Sequence, residues 1–195
     1  MIGVLAVIAI LAAMLIPKIF TAIRNSRIDS AVTAISTIKQ AVADSYAKYG
    51  GFTTNAAGTM VAYGAVDDFG AVLMSQGFVD KPFAVKIGNQ TAETKVQIRT
   101  IEATTIDATT ANYDLDGDGA PDTDNGALVV ECVITGVTAQ DCKDIKNIID
   151  GTSAALDGAV AATGPATKGR VKYGKAGAAI PAGDTGTALI YITHR

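Results

Sequence analysis

The first sixteen residues, Met-Ile-Gly-Val-Leu-Ala-Val-Ile-Ala-Ile-Leu-Ala-Ala-Met-Leu-Ile, carry no charge and no side chain that hydrogen-bonds strongly. Pro17 and Lys18 follow, and an amphipathic pattern takes over with no loop signal between. From Ile28 the apolar positions run Ile28, Ala31, Val32, Ile35, Ile38, Val42, Tyr46 and Tyr49, one stripe at helical period. Asp29, Ser30, Thr33, Lys39, Gln40, Asp44 and Lys48 lie opposite it, and Gly50 and Gly51 stop it. The pattern predicts a single helix over residues 1–50, about 70 Å long at ~1.5 Å per residue. Its second half has one greasy face, which suits lying on a sheet. Its first half is greasy on every side, which suits lipid or a sleeve of like helices. Val4, Val7, Ile8, Leu11 and Leu15 are the expected assembly positions, together with Pro17. Pro17 removes a backbone donor and crowds the carbonyl of Ala13, at roughly 3 kcal/mol in a regular helix. A kink or melted turn is therefore expected between residues 9 and 17.

Three readings of the apolar segment compete. A bilayer span needs about 20 apolar residues, so residues 1–16 fall a little short. A cleaved secretory signal, with residues 11–13 as its cleavage region, needs a basic segment in front of it, and none precedes Met1 in this sequence. A plain signal anchor is the second reading. The third is a filament subunit whose helix leaves the membrane to join a bundle, and the amphipathic continuation favours it.

The remainder, residues 51–195, is long enough to bury a core of its own and reads as one head domain. Residues 52–59 read as loop. Residues 66–76 read as a short helix with Val66, Phe69, Val72 and Leu73 on one face and Gly77 as its stop. Phe83, Val85 and Ile87 alternate as in a strand, as do Val96, Ile98 and Ile101. Residues 127–134 form a further strand, and residues 138–149 a helix with Thr138 as its N-cap. Residues 151–168 are small and flexible in composition, and residues 170–173 and 188–193 close the set as strands. The sum is an α+β fold: an antiparallel sheet against the long helix.

The strongest chemical motif is Asp114-Leu-Asp116-Gly-Asp118-Gly119-Ala-Pro-Asp122-Thr-Asp124. Carboxylates recur at alternate positions with a glycine in sixth place, a spacing that wraps hard oxygen ligands around one Ca²⁺. Asp114, Asp116 and Asp118 would be direct ligands, with the Ala120 carbonyl as a fourth. Asp122 would ligate directly or through water, and Asp124 or Glu131 would complete the shell. The twelfth position is Asn125, where a helix-loop-helix hand has a bidentate Glu, and no helix is evident before Asp114. The calcium loop 114–125 is thus expected to be structural. The plainer reading is a solvated acidic turn, although five carboxylates so close repel one another without a cation.

Cys132 and Cys142 are the only cysteines and have nine residues between them. They permit one bridge, tying a strand to the following helix, worth about 2–3 kcal/mol in the chain-entropy picture. Two buried free thiols are the alternative. The only histidine, His194, is one residue from the end, and no serine or cysteine has an evident basic partner. Nothing argues for an enzyme. A net charge of −3 and a 6% aromatic content without tryptophan speak against a general nucleic-acid binder or a sugar-stacking surface. Asn89, Gln90 and Thr91 make a formal N-glycosylation sequon.

The stretch Gly-Val-Leu-Ala-Val-Ile-Ala-Ile-Leu-Ala-Ala-Met-Leu-Ile-Pro-Lys resembles the N-terminus of type IV pilins and of the pseudopilins of type II secretion. Ala12 and Ala13 fall where that family has its Ala-Ala pair, and Pro17 where it has its proline. The family's processed subunits begin with an N-methylated Phe followed by Thr-Leu-Ile-Glu. This chain starts just beyond that point, so neither the Phe nor the Glu has a counterpart here. The resemblance covers residues 1–50 and implies a pilin-like fold. It implies a subunit held in the inner membrane, drawn by an ATP-driven assembly machinery into an extracellular homopolymeric filament. It also implies a basic leader, removed before assembly, that sets orientation although Lys18, Arg24 and Arg27 face outward. Many members carry a disulfide in the head, which favours the bridge between Cys132 and Cys142. A major pseudopilin is the alternative within the family. A membrane-anchored, calcium-dependent adhesion module is the alternative outside it.

Overall fold

The computed structural model describes residues 2–61, 66–87, 94–101, 105–153, 156 and 166–195, and within the first helix the side chains of Ile8 and of residues 10 onward. The side chains of Val4 and Val7, the sequon residues Asn89, Gln90 and Thr91, and much of the stretch 151–168 lie outside the described residues.

Helix α1 spans Ile2–Tyr49, 48 residues, and runs unbroken through Pro17. The expected melted turn is corrected. Proline deletes one donor only, and the ladder on either side is long enough to carry the helix across. Thr21 Oγ1 donates to the Pro17 carbonyl at 3.0 Å. At the other end Gly50 takes a positive φ of 73° and its N–H reaches the Tyr46 carbonyl at 2.7 Å. This is the left-handed cap that a residue without Cβ adopts at little cost.

The head follows with α2 (Phe69–Ser75), β1 (Thr94–Thr100), β2 (Leu128–Thr138), α3 (Ala139–Ile149), β3 (Val171–Gly174) and β4 (Thr185–His194). Helix α2 is shorter than its apolar face suggests. Asp68 caps it by accepting from Ala71 N at 2.9 Å, while Val66 pairs with Ile98 instead of joining the helix. Residues 83–87 do not form the expected strand. Phe83 and Ile87 are buried all the same, so their alternation reports burial and not ladder pairing. Strand β2 leads straight into α3, where the Thr138 hydroxyl accepts from Asp141 N as expected of an N-cap.

All three strand pairings are antiparallel, in the order β1-β2-β4-β3. One sheet face, carrying Val96, Ile98, Val130, Cys132, Ile134, Tyr173 and Ile190, meets the helices in the main core. Ile28, Ala31, Ile35, Ile38, Ala41 and Val42 of α1 lie in that core at 5% exposure or less. The stripe predicted from spacing is thus the face of α1 that packs. Ile101, Ala111, Tyr113 and Val129 form a second small core beneath the segment leading into the Asp loop. The architecture is α+β: a four-stranded sheet with helices on one face and an irregular covering segment on the other.

Candidate functional site

Helix α1 changes character at Arg24. Downstream it belongs to the head. Upstream the large apolar side chains among the described residues stand in the open: Ile8, Ile10, Leu11, Met14, Leu15, Ile16, Ile19, Phe20 and Ile23 are between 45% and 69% exposed. Ile8, Leu11 and Leu15 thus lie on a bare rod, with Pro17 inside it. Among the described residues no helix is long and apolar enough to cross a membrane.

At the neck, Arg24 Nε donates to Asp141 Oδ1 at 2.5 Å and a terminal guanidinium nitrogen donates to Asp144 Oδ2. Each carboxylate has its second oxygen held as well. Thr138 Oγ1 donates to Asp141 Oδ2 at 2.8 Å, and Gln140 Nε2 donates to Asp144 Oδ1 at 2.9 Å. A cleft of about 390 Å³ opens beside this clamp, lined by Phe20, Ile23, Arg27 and Ile87 among others.

The Asp loop is folded around its own carboxylates. Asp114 is fully buried and accepts from Gly117 N at 2.6 Å and Gly119 N at 2.9 Å. Both glycines sit at positive φ, 88° and 93°, which brings their N–H groups round to face that carboxylate. Asp122 Oδ2 accepts from Leu115 N at 2.5 Å and Asp116 N at 3.1 Å. Oxygens of Asp114, Asp116 and Asp122 lie within 4.8 Å of one another. That spacing matches ligands placed about 2.3–2.6 Å from a shared Ca²⁺.

Asp118 and Asp124, also expected as ligands, do not join this group. Asp118 accepts from Ala120 N at 2.7 Å in a local turn. The Asp124 side chain is exposed and stands outside the cluster of three. Glu131, offered as a closing ligand, is corrected outright. It is fully buried under the sheet, where its carboxylate accepts from Tyr113 Oη at 2.7 Å, Gln97 Nε2 at 2.6 Å and Arg99 at 3.1 Å. Alternation along β2 puts it on the face opposite Val130 and Cys132. A cation already stands near the loop: Lys168 Nζ donates to the Gly117 carbonyl at 2.9 Å.

Behind the loop lies a set of buried charges that sequence reasoning missed. Lys172, fully buried, donates to the carbonyls of Asp107 (3.0 Å), Thr110 (2.6 Å) and Asn112 (2.7 Å), with its Nζ 4.2 Å from the Tyr113 ring centroid. Burial pulls its pKa down from 10.5 to about 8, with Glu131 and Asp107 opposing the shift and Arg99 assisting it. The Tyr113 hydroxyl is pushed well above its ordinary value by burial and by the Glu131 charge. Lys146, 1% exposed, pairs with Asp150 at 2.8 Å and donates to the Val171 carbonyl at 2.9 Å. Its only sequence signal was the i,i+4 spacing to Asp150.

The expected bridge between Cys132 and Cys142 is corrected: both are free, buried thiols. A nine-residue separation permits a bond, but formation needs converging Cβ vectors. Here each sulfur serves as a small apolar group in the main core. Burial raises both thiols, Cys142 to about 12, so they stay protonated. His194 is exposed at the end of β4, its ring against Tyr191.

Comparison of the chain with protein-family models, with curated proteins and with solved structures finds no match.

Proposed function

We propose that this chain is a structural subunit that polymerises, through residues 8–23 of α1, into an extracellular type IV pilus-like filament. The observation that carries the reading is the bare rod. Nine large apolar side chains stand exposed on it, while the same helix is sealed into a core from Ile28, five residues past the last of them. Those nine expose roughly 900 Å² of apolar surface, about what one partner contributes to a standard interface. At helical pitch they point round the whole circumference, so a single two-fold partner leaves part of the rod uncovered. Heterologous contacts repeated along an axis cover it completely. Lipid covers the same surface before assembly, so the transfer from membrane to filament releases little net free energy, and the resemblance supplies an ATP-driven machine for that step. The head faces solvent, and a structural Ca²⁺ on Asp114, Asp116 and Asp122 steadies its covering segment.

Electron microscopy of sheared cells tests this. Wild type is expected to give long fibres, and Ile8→Glu to abolish them while leaving the head folded. Fibres of normal length from that variant would refute the packing role. Short stubs would assign the chain to a secretion pseudopilus. No filament of any kind would leave a monomeric, membrane-anchored binding module.

A further inference from the structure

We propose that Arg24, gripped by Asp141 and Asp144, is the point at which α1 ceases to move with the head, so that flexing of the apolar rod is confined to the segment upstream of it.

Among the described residues, the first α1 side chain buried in the main core is Ile28, and residues 25–27 are exposed. Core packing alone would therefore release the helix at Ile28. The clamp moves the release point one turn toward the rod, because Arg24 reaches across to two carboxylates on α3. The receiving site is built in advance. Asp141 and Asp144 lie three residues apart and so share one face of α3, and their second oxygens are held by Thr138 and Gln140 of the same turn. The carboxylates therefore need little reordering to accept the guanidinium. A planar guanidinium spans two such acceptors with separate nitrogens, where a lysine ammonium would meet them as a single point.

The helix has one weak position upstream. Pro17 leaves the Ala13 carbonyl without its usual donor, and Pro17 is the only proline inside α1. It lies two turns before Arg24. With the clamp closed, bending about Pro17 swings the apolar rod on a fixed base. With the clamp open, the turn from Arg24 to Ile28 joins the moving part, and the rod leaves the head in no single direction. The use of a fixed exit direction rests on the filament reading; the clamp itself does not.

Hydrogen–deuterium exchange on the unassembled full-length chain in detergent tests the clamp. In wild type, amides of residues 24–27 are expected to exchange slowly, like those of residues 28–42. Arg24→Gln is expected to speed exchange at residues 21–27 by about tenfold while residues 28–42 stay unchanged, as local opening without global unfolding predicts. Arg24→Lys is expected to fall between the two. The double change Asp141→Asn with Asp144→Asn is expected to reproduce Arg24→Gln from the other side. An exchange profile over residues 21–27 that is the same in wild type and Arg24→Gln overturns the proposal. So does a uniform acceleration over the whole helix, which would mark the ion pairs as general stabilisation. Since the readout precedes assembly, absent filaments leave it intact, and an unchanged profile leaves the filament reading intact.

Discussion

Lys172 shows how much one side chain can hold in this head. Its three donors meet three carbonyls of the covering segment, so Lys172→Met removes the one group that ties those carbonyls together. We expect a loss of about 2–4 kcal/mol in urea unfolding. The pH dependence has a definite sign. The folded pKa is lowered to about 8, so above it the unfolded chain binds a proton that the folded chain has released. The contribution of Lys172 then rises with pH between 8 and 10.5 and is lost as pH falls through 8. The advantage of wild type over Lys172→Met should grow by roughly 2 kcal/mol from about pH 7 to about pH 9.5. An advantage that is flat over this range would contradict it. At the Asp loop, Asp116 takes part in the cluster of three but is exposed, so Asp116→Asn should spare the calcium-free fold. Millimolar Ca²⁺ is expected to raise the melting temperature of wild type and not that of the variant, read by calorimetry against chelator. Equal shifts in both would remove Asp116 from the site. The motif's spacing pointed to the loop and its glycines, yet Asp118, Asp124 and Glu131 stand apart. Spacing sets which residues come near one another, and the Asx turns set which oxygens converge.

Helix α1 carries two opposite predictions along one element. Ile35 is 5% exposed within the core, and Ile35→Ala is expected to cost about 2–4 kcal/mol. Leu11 is 62% exposed, and Leu11→Ser should change the stability of the unassembled chain by under ~0.5 kcal/mol. Urea unfolding of both variants checks the pair; comparable losses would place the rod inside the fold. The amphipathic half of the helix was legible because its apolar stripe has only one period that fits. Thr138 as the cap of α3 was legible for a similar reason, since a capping hydroxyl acts within three residues. Residues 83–87 misled because burial on a core produces the same alternation as a strand, and ladder partners are not written in the local pattern.

For the whole molecule, among the described residues the α1 side chains of the core begin at Ile28, and the large apolar side chains before Arg24 stand exposed. A chain lacking residues 1–23 is therefore expected to fold and to remain monodisperse in detergent-free buffer, while the full chain associates. Sedimentation velocity on both distinguishes them, and association of the shortened chain would move the self-contact surface to the head. The clamp at Arg24 lies where these two parts meet.

Local pattern alone determined the long helix, its two-part character, the capped α3 and the turn glycines of the Asp loop. These depend on residues a few positions apart, whose periodicity and backbone freedom act before any distant contact forms. Tertiary structure alone decided the partners. It put Glu131 beneath the sheet instead of at the loop, left the two cysteines as core thiols, carried α1 through Pro17 and closed Arg24 on a helix more than a hundred residues away. Such contacts depend on which strand faces which and on charges that are stable in the interior only when paired, and neither is expressed in the spacing of neighbours along the chain.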